Sequence, residues 1–171
     1  MSQLLKLKGT KTMTRDKLFP LSSSNAAEAR KLYRDLELDV MARTVWGEAR
    51  GEGITGMQAV AAVIINRVAV AQRKNNYWWG NNIIEVCQKP YQFSCWNKDD
   101  PNYRQLIAVS DTDPIFTLAK RTSSRILLGF LTDVTNGADH YHTRMIMPHW
   151  ARGQTPVARI GQHLFYKLVK G

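Results

Sequence analysis

Residues 41–68 read MARTVWGEARGEGITGMQAVAAVIINRV, two apolar runs joined by a corner of glycines and acids. Counting from Leu38, Met41, Ala42 and Val45 fall at the i, i+3, i+4, i+7 spacing of one helix face. Beyond the corner, Met57, Val60, Ala61, Ile64 and Val68 mark the stripe of a second helix, predicted to begin near Thr55. Its alanines predict close packing against a neighbour. The corner carries Glu48 and Glu52. If the first helix runs through both, they share a face. If it stops at Gly51, Glu52 belongs to the turn. The C-terminal end of a helix, beside the apolar wall of Trp46, disfavours a charged carboxylate and so suits a general acid. Arg50 acts in the opposite sense. The bland alternative is that Arg50 pairs with one glutamate and the glycines merely turn the chain.

Working outward, Asn25-Ala26-Ala27-Glu28 fits a capping box ahead of a helical pattern through Leu32, Leu36 and Leu38. Residues 1–24 read as a flexible N-terminal tail and 25–171 as one domain. The opening MSQLLKLKGTKTMTRDKLFP has no continuous apolar core, so no secretory signal is read there. No run is read as a membrane span. Residues 72–82, QRKNNYWWGNN, form a polar loop with an aromatic tip, and Ile83–Val86 is a short apolar segment. Asp113-Pro114 starts a further helix, with Ile115, Leu118, Ala119, Thr122 and Ile126 on its buried face and Gly129 ending it. Leu131–Thr135 is predicted as a short strand, and Asn136-Gly137 as a turn. The last forty residues lack helical periodicity, and 164–169, LFYKLV, reads as a final strand. These readings describe a mainly helical domain with a small β or loop element.

The 171 residues include 44% hydrophobic ones, enough for a core, and the net charge is +10. Residues 114–171 hold 8 basic and 2 acidic side chains, so the excess gathers toward the C-terminus. Such a surface favours polyanionic partners. Nucleic acid is one such partner and predicts steep salt dependence. The chain lacks a basic helix with base-reading residues, which places that class last. Cys87 and Cys95 have neither scaffold nor zinc spacing and read as reduced buried thiols, with one disulfide between them left open.

His140, His142 and His149 lie within ten residues. On a strand, His140 and His142 would point to one face, so a zinc site with Asp139 is conceivable, but no HExxH accompanies them. Without metal, these histidines line or underlie a cleft. His163 reads as a buried histidine with its hydrogen bonds satisfied. No serine sits in a GxSxG elbow, and a Cys95–His pair is a weak nucleophile signal.

Four elements in order, Glu48-Ala49-Arg50-Gly51-Glu52, Gly56–Val68, Gln92-Phe93-Ser94 and Ile160–Tyr166 (IGQHLFY), resemble the spore-cortex-lytic-enzyme-like (SleB/CwlJ-type) cell-wall hydrolases. The resemblance spans about residues 38–167. It implies a mainly helical α+β domain, lysozyme-like and lytic-transglycosylase-like, with a small β element, acting on peptidoglycan glycan strands. No cofactor or metal is expected. Glu48 then matches the catalytic acid at the end of a core helix. Glu52 matches a second acid with a supporting or substrate-binding role. Gln92, Phe93 and Ser94 match a cleft-lining element. Tyr141, His142 and Trp150 match a less regular substrate-binding segment. A lytic transglycosylase needs the one glutamate. A muramidase would use Glu52 as well, and a zinc amidase would use the histidines instead. The basic, signal-less chain resembles phage or prophage endolysins. That implies a protein made in the bacterial cytoplasm; a monomer without stable membrane insertion is expected, since nothing in the sequence suggests otherwise. It would reach an anionic wall or outer-membrane surface after the membrane has been permeabilised.

Overall fold

The structure is a computed structural model that describes residues 23–170. The proposed tail, apart from Ser23 and Ser24, lies outside the described residues. The described residues divide into two units after Arg34, and the core, the sheet and the site belong to the second. Helix α1 is Ser23–Ala49, so the two apolar patterns before the corner belong to one helix. Its start corrects the capping-box expectation, because Asn25 lies inside the first turn rather than at the cap. Val40, Met41, Ala42, Val45 and Trp46 are buried along its second half.

Helix α2, Gly53–Arg73, is the centre of the core and begins two residues earlier than the spacing suggested. Between Gly56 and Ile64 every residue except Gln58 is buried, as its small side chains allow. It is long and apolar enough to cross a membrane by composition, which the sequence reading overlooked, yet most of it is buried inside this domain. Helices α3 (Ile83–Gln88) and α4 (Tyr103–Ala108) are short, and α5 is Pro114–Leu127. The α5 cap is as predicted: the Asp113 carboxylate accepts from Ile115 and Phe116 amides at 2.8 and 2.9 Å. At its end, Gly129 (φ +75°) and Phe130 donate to the carbonyls of Ile126 and Arg125, closing a Schellman turn.

The predicted strand at Leu131–Thr135 is absent. Asp133 instead accepts from the backbone amides of Thr135 and Gly137, and this local turn replaces strand pairing. Asn136 and Gly137 both have positive φ, as the turn reading required. Strands β1 (His140–Thr143), β2 (Ala158–Ile160) and β3 (His163–Tyr166) form an antiparallel sheet in the order β1-β3-β2. Tyr141 pairs with Phe165, and Thr143 with His163, so these side chains share one face. That face meets α2, where Phe165 and Ala138 pack with Ala59 and Val63.

Candidate active site

Glu48 occupies the last turn of α1 and is half-buried. Two groups from distant parts of the chain hold its carboxylate. The Tyr141 hydroxyl donates to Oε2 at 2.9 Å, and the Cys95 amide donates to Oε1 at 3.3 Å. Gly47 makes the second contact sterically available, since a Cβ there would stand 2.7 Å from the Cys95 Cβ. Tyr141 comes from β1, and its ring meets His163 edge-on at 5.1 Å. Burial, then the charge of Glu48, raises the Tyr141 hydroxyl well above the ordinary tyrosine value, so it acts as a donor.

Glu52 has a different task. Its Oε2 accepts from the Gln162 amide at 2.8 Å, in the turn between β2 and β3. Gly161 in that turn has φ +54°, and an added Cβ would collide with the same carboxylate oxygen. The two acids therefore have different partners. Arg50 pairs with neither of them, contrary to the bland reading of the corner. Its Nη2 donates to Asn102 at 2.7 Å and its guanidinium lies 4.7 Å from the Trp46 ring centroid.

A cavity of about 270 Å³ opens beside this arrangement, and Tyr141, Gln92, Trp150, His140, Trp78 and Tyr91 line it together with Arg67. Trp78 is half-exposed. Tyr91 is 83% exposed and held at φ +63° while its amide donates to the Asn97 side chain. Such faces, apolar with polar edges, are suited to stacking on sugar rings. Gln92, Tyr141 and Trp150 are placed in the cavity wall. Phe93 is not: it is buried, with the Arg67 guanidinium 5.0 Å from its ring centroid. Ser94 is exposed at the start of a single 3-10 turn, Ser94–Trp96, and is not part of the cavity wall.

His140 and His142 share a face of β1, as the alternation predicted, but both are committed to protein partners. His140 Nδ1 meets the Asp139 carboxylate at 2.6 Å. His142 Nδ1 meets the Thr143 carbonyl at 2.8 Å and Nε2 meets the Tyr166 hydroxyl at 3.0 Å. His142 lies behind Trp150, ring centroids 5.5 Å apart, and supports the wall rather than forming it. Asp139 also accepts from the Leu168 and Val169 amides at 2.9 Å each. Burial opposes its ionisation, yet these hydrogen bonds hold its carboxyl below the usual carboxylate range. Among the described residues no three His, Cys, Asp or Glu side chains gather as a metal-ligand set.

His163 corrects the expectation of a satisfied buried histidine: its Nδ1 has no hydrogen-bond partner. Burial pulls its pKa down, opposed by the charges of Glu52 and Glu48. Cys87 and Cys95 are both free and buried. Burial pushes the Cys87 thiol up to about 12, and burial and Glu48 raise Cys95 as well, so neither offers a thiolate nucleophile at neutral pH.

The sequence reading missed Trp78 and Tyr91 of the cavity wall and, above all, Arg67. It is 4% exposed at the end of the apolar α2 stripe, with its Nε donating to the Asp139 carbonyl at 2.8 Å. The signal was available: Val60, Ile64, Arg67 and Ala71 follow one buried face, and an arginine there breaks the pattern.

Fold and site together define a mainly helical α+β domain with a hydrogen-bonded carboxylate beside an aromatic-lined cleft. Residues 51–166 match the Cell Wall Hydrolase family, and the chain belongs to that family. The matched span begins just after Glu48. The spore cortex-lytic enzymes of Halalkalibacterium halodurans and Bacillus subtilis are similar to this chain. They are 32% identical over 136 residues and 28% over 140, each alignment covering 78% of it. Those alignments cover 35% and 38% of the two relatives, so the chain spans little more than a third of their length. In structure it is similar to the catalytic domain of the Bacillus cereus SleB protein (TM-score 0.60, 28% identity, 77% of this chain and 89% of that one). It is also similar to the catalytic domain of the germination-specific lytic transglycosylase SleB from Bacillus anthracis (TM-score 0.59, 28% identity, 77% and 93%). The expected α+β, mainly helical fold of a lytic transglycosylase is the fold observed.

Proposed function

We propose that this domain is a lytic transglycosylase that cleaves the glycosidic bond between N-acetylmuramic acid and N-acetylglucosamine in peptidoglycan. The observation that carries the reading is the different fate of the two acids. Glu48 is held beside the cleft by one phenol and one amide, while Glu52 is taken up by a backbone turn. One available carboxyl is what this reaction needs. Glu48, protonated, donates to the glycosidic oxygen as the bond to the muramyl anomeric carbon breaks. The glutamate then accepts the proton of the muramyl C6 hydroxyl, whose oxygen closes on the anomeric carbon to give a 1,6-anhydro sugar. Tyr141 and the Cys95 amide stabilise the carboxylate between the two proton transfers. Trp78, Tyr91 and Trp150 stack on sugar faces, and Gln92 orients a polar substituent.

A muramidase would deliver water instead and would use a second acid. Product analysis separates the two. Digested murein examined by mass spectrometry should carry anhydro ends, lighter by one water than reducing ends. A digest containing reducing ends alone would overturn the proposal. The basic surface of residues 114–171 supports accumulation on an anionic wall, which predicts that added salt weakens binding to murein sacculi.

A further inference from the structure

Arg67 holds a permanent charge in a place where charge is costly. It is 4% exposed, forms part of the cavity wall, and lies between two aromatic rings, with centroids 5.3 Å (Trp79) and 5.0 Å (Phe93) from its guanidinium carbon. Its Nε is used by the Asp139 carbonyl, and its own carbonyl accepts from Trp79 Nε1 at 3.0 Å, so the side chain is fixed in place. Its Nη1 is buried and has no hydrogen-bond partner. The Asp139 carboxylate could have neutralised it but is taken up by His140, Leu168 and Val169. A buried guanidinium with an unused donor, beside a cavity without a free carboxylate in its wall, calls for an acceptor oxygen from outside.

We propose that Arg67 binds the acyl oxygen of the muramyl 3-O-lactyl group and so makes the cleft select muramyl over glucosaminyl units. This rests on the peptidoglycan reading above. The two sugars differ in that substituent alone, whose acyl group ends in a stem-peptide amide or, on peptide-free strands, in a carboxylate. Either oxygen can accept from the guanidinium. A chitin-type strand offers no such group. Arg67 is thus a specificity residue, and its charge also reaches Glu48.

The test is calorimetric, on the Glu48→Gln protein, so that ligands survive the measurement. The ligands are the muramyl tetrasaccharide with and without stem peptides, and chitotetraose. The Glu48→Gln protein should bind at least one muramyl form about tenfold or more tightly than chitotetraose. Whichever form loses more affinity on adding Arg67→Met identifies the acyl group read. The double variant should hold chitotetraose as before and lose the preference. Equal weakening of all ligands would show a structural role alone, and a retained preference would overturn the proposal, as would its absence from the Glu48→Gln protein. Should Arg67→Met fail to fold, the Arg67 guanidinium resonances of the ¹⁵N-labelled Glu48→Gln protein carry the test. They should move with the muramyl ligand and not with chitotetraose, and any other result contradicts the assignment. Binding is read apart from turnover, so a failure of the Glu48 assignment, seen as a fully active Glu48→Gln, is distinguishable from a failure here.

Discussion

Glu48 and Glu52 sit four residues apart in one corner, and the fold treats them oppositely. Glu48 lies in the last turn of a helix and receives donors from residues 93 and 47 positions away, the first of them Tyr141 of the cavity wall. Glu52 precedes the next helix and fastens a turn 110 positions away. The lesson is that proximity in sequence set up the pair and tertiary contacts divided the labour. An acid whose partners are another element's backbone is a clasp. An acid whose partners are a phenol and one amide beside open space remains available for chemistry.

The largest expected effect lies on the Glu48 side. Glu48→Gln keeps the shape and removes the acid, so kcat on murein should fall about 100- to 10,000-fold with the melting temperature little changed. Full activity would erase the distinction between the two acids. Next is Tyr141→Phe, which deletes the phenol donor. A hydrogen bond to a charged group contributes about 1.5–3 kcal/mol, so kcat should drop roughly 10- to 100-fold, with KM less affected. On the Glu52 side the readout is stability. Gly161→Ala puts a Cβ onto the Glu52 carboxylate at φ +54° and should cost about 2 kcal/mol in denaturant unfolding, with the site chemistry intact.

The smallest effect concerns His163, between the two acids. Its pKa is lowered in the folded state by burial, so the unfolded chain binds the extra proton first. Stability should therefore decline as pH falls through the ordinary histidine value of about 6.5, and be level on the alkaline side of it. His163→Gln should flatten that part of the pH–stability curve, a change of about a few degrees in melting temperature at pH 5 relative to pH 8. An unchanged slope would mean that His163 does not carry it.

Much of the fold was legible because its signals are local. The Asp113-Pro114 start, the Gly129 stop and the α2 stripe each follow from a few adjacent residues. The strand expected at Leu131–Thr135 failed because Asp133 competes for the same amides within two to four residues, a choice composition does not reveal. The Asn25 cap failed because the helix starts at Ser23. At the site, the motifs pointed to Glu48, Gln92, Tyr141 and Trp150. Phe93 and Ser94 belong to the same motif, but one is buried and the other is exposed outside the cavity wall. The division between Glu48 and Glu52 was illegible, because it depends on which of two distant segments, the Cys95 turn with β1 or the Gln162 turn, arrives at each carboxylate.

The central claim is that one carboxyl performs the whole reaction. The direct test is Glu52→Gln digesting purified murein, with turnover measured and the products weighed by mass spectrometry. The account predicts turnover within about tenfold of the parent, since only a positioning contact is weakened, and anhydro muramyl ends as before. A loss comparable to that of Glu48→Gln would contradict it and make Glu52 a second catalytic acid.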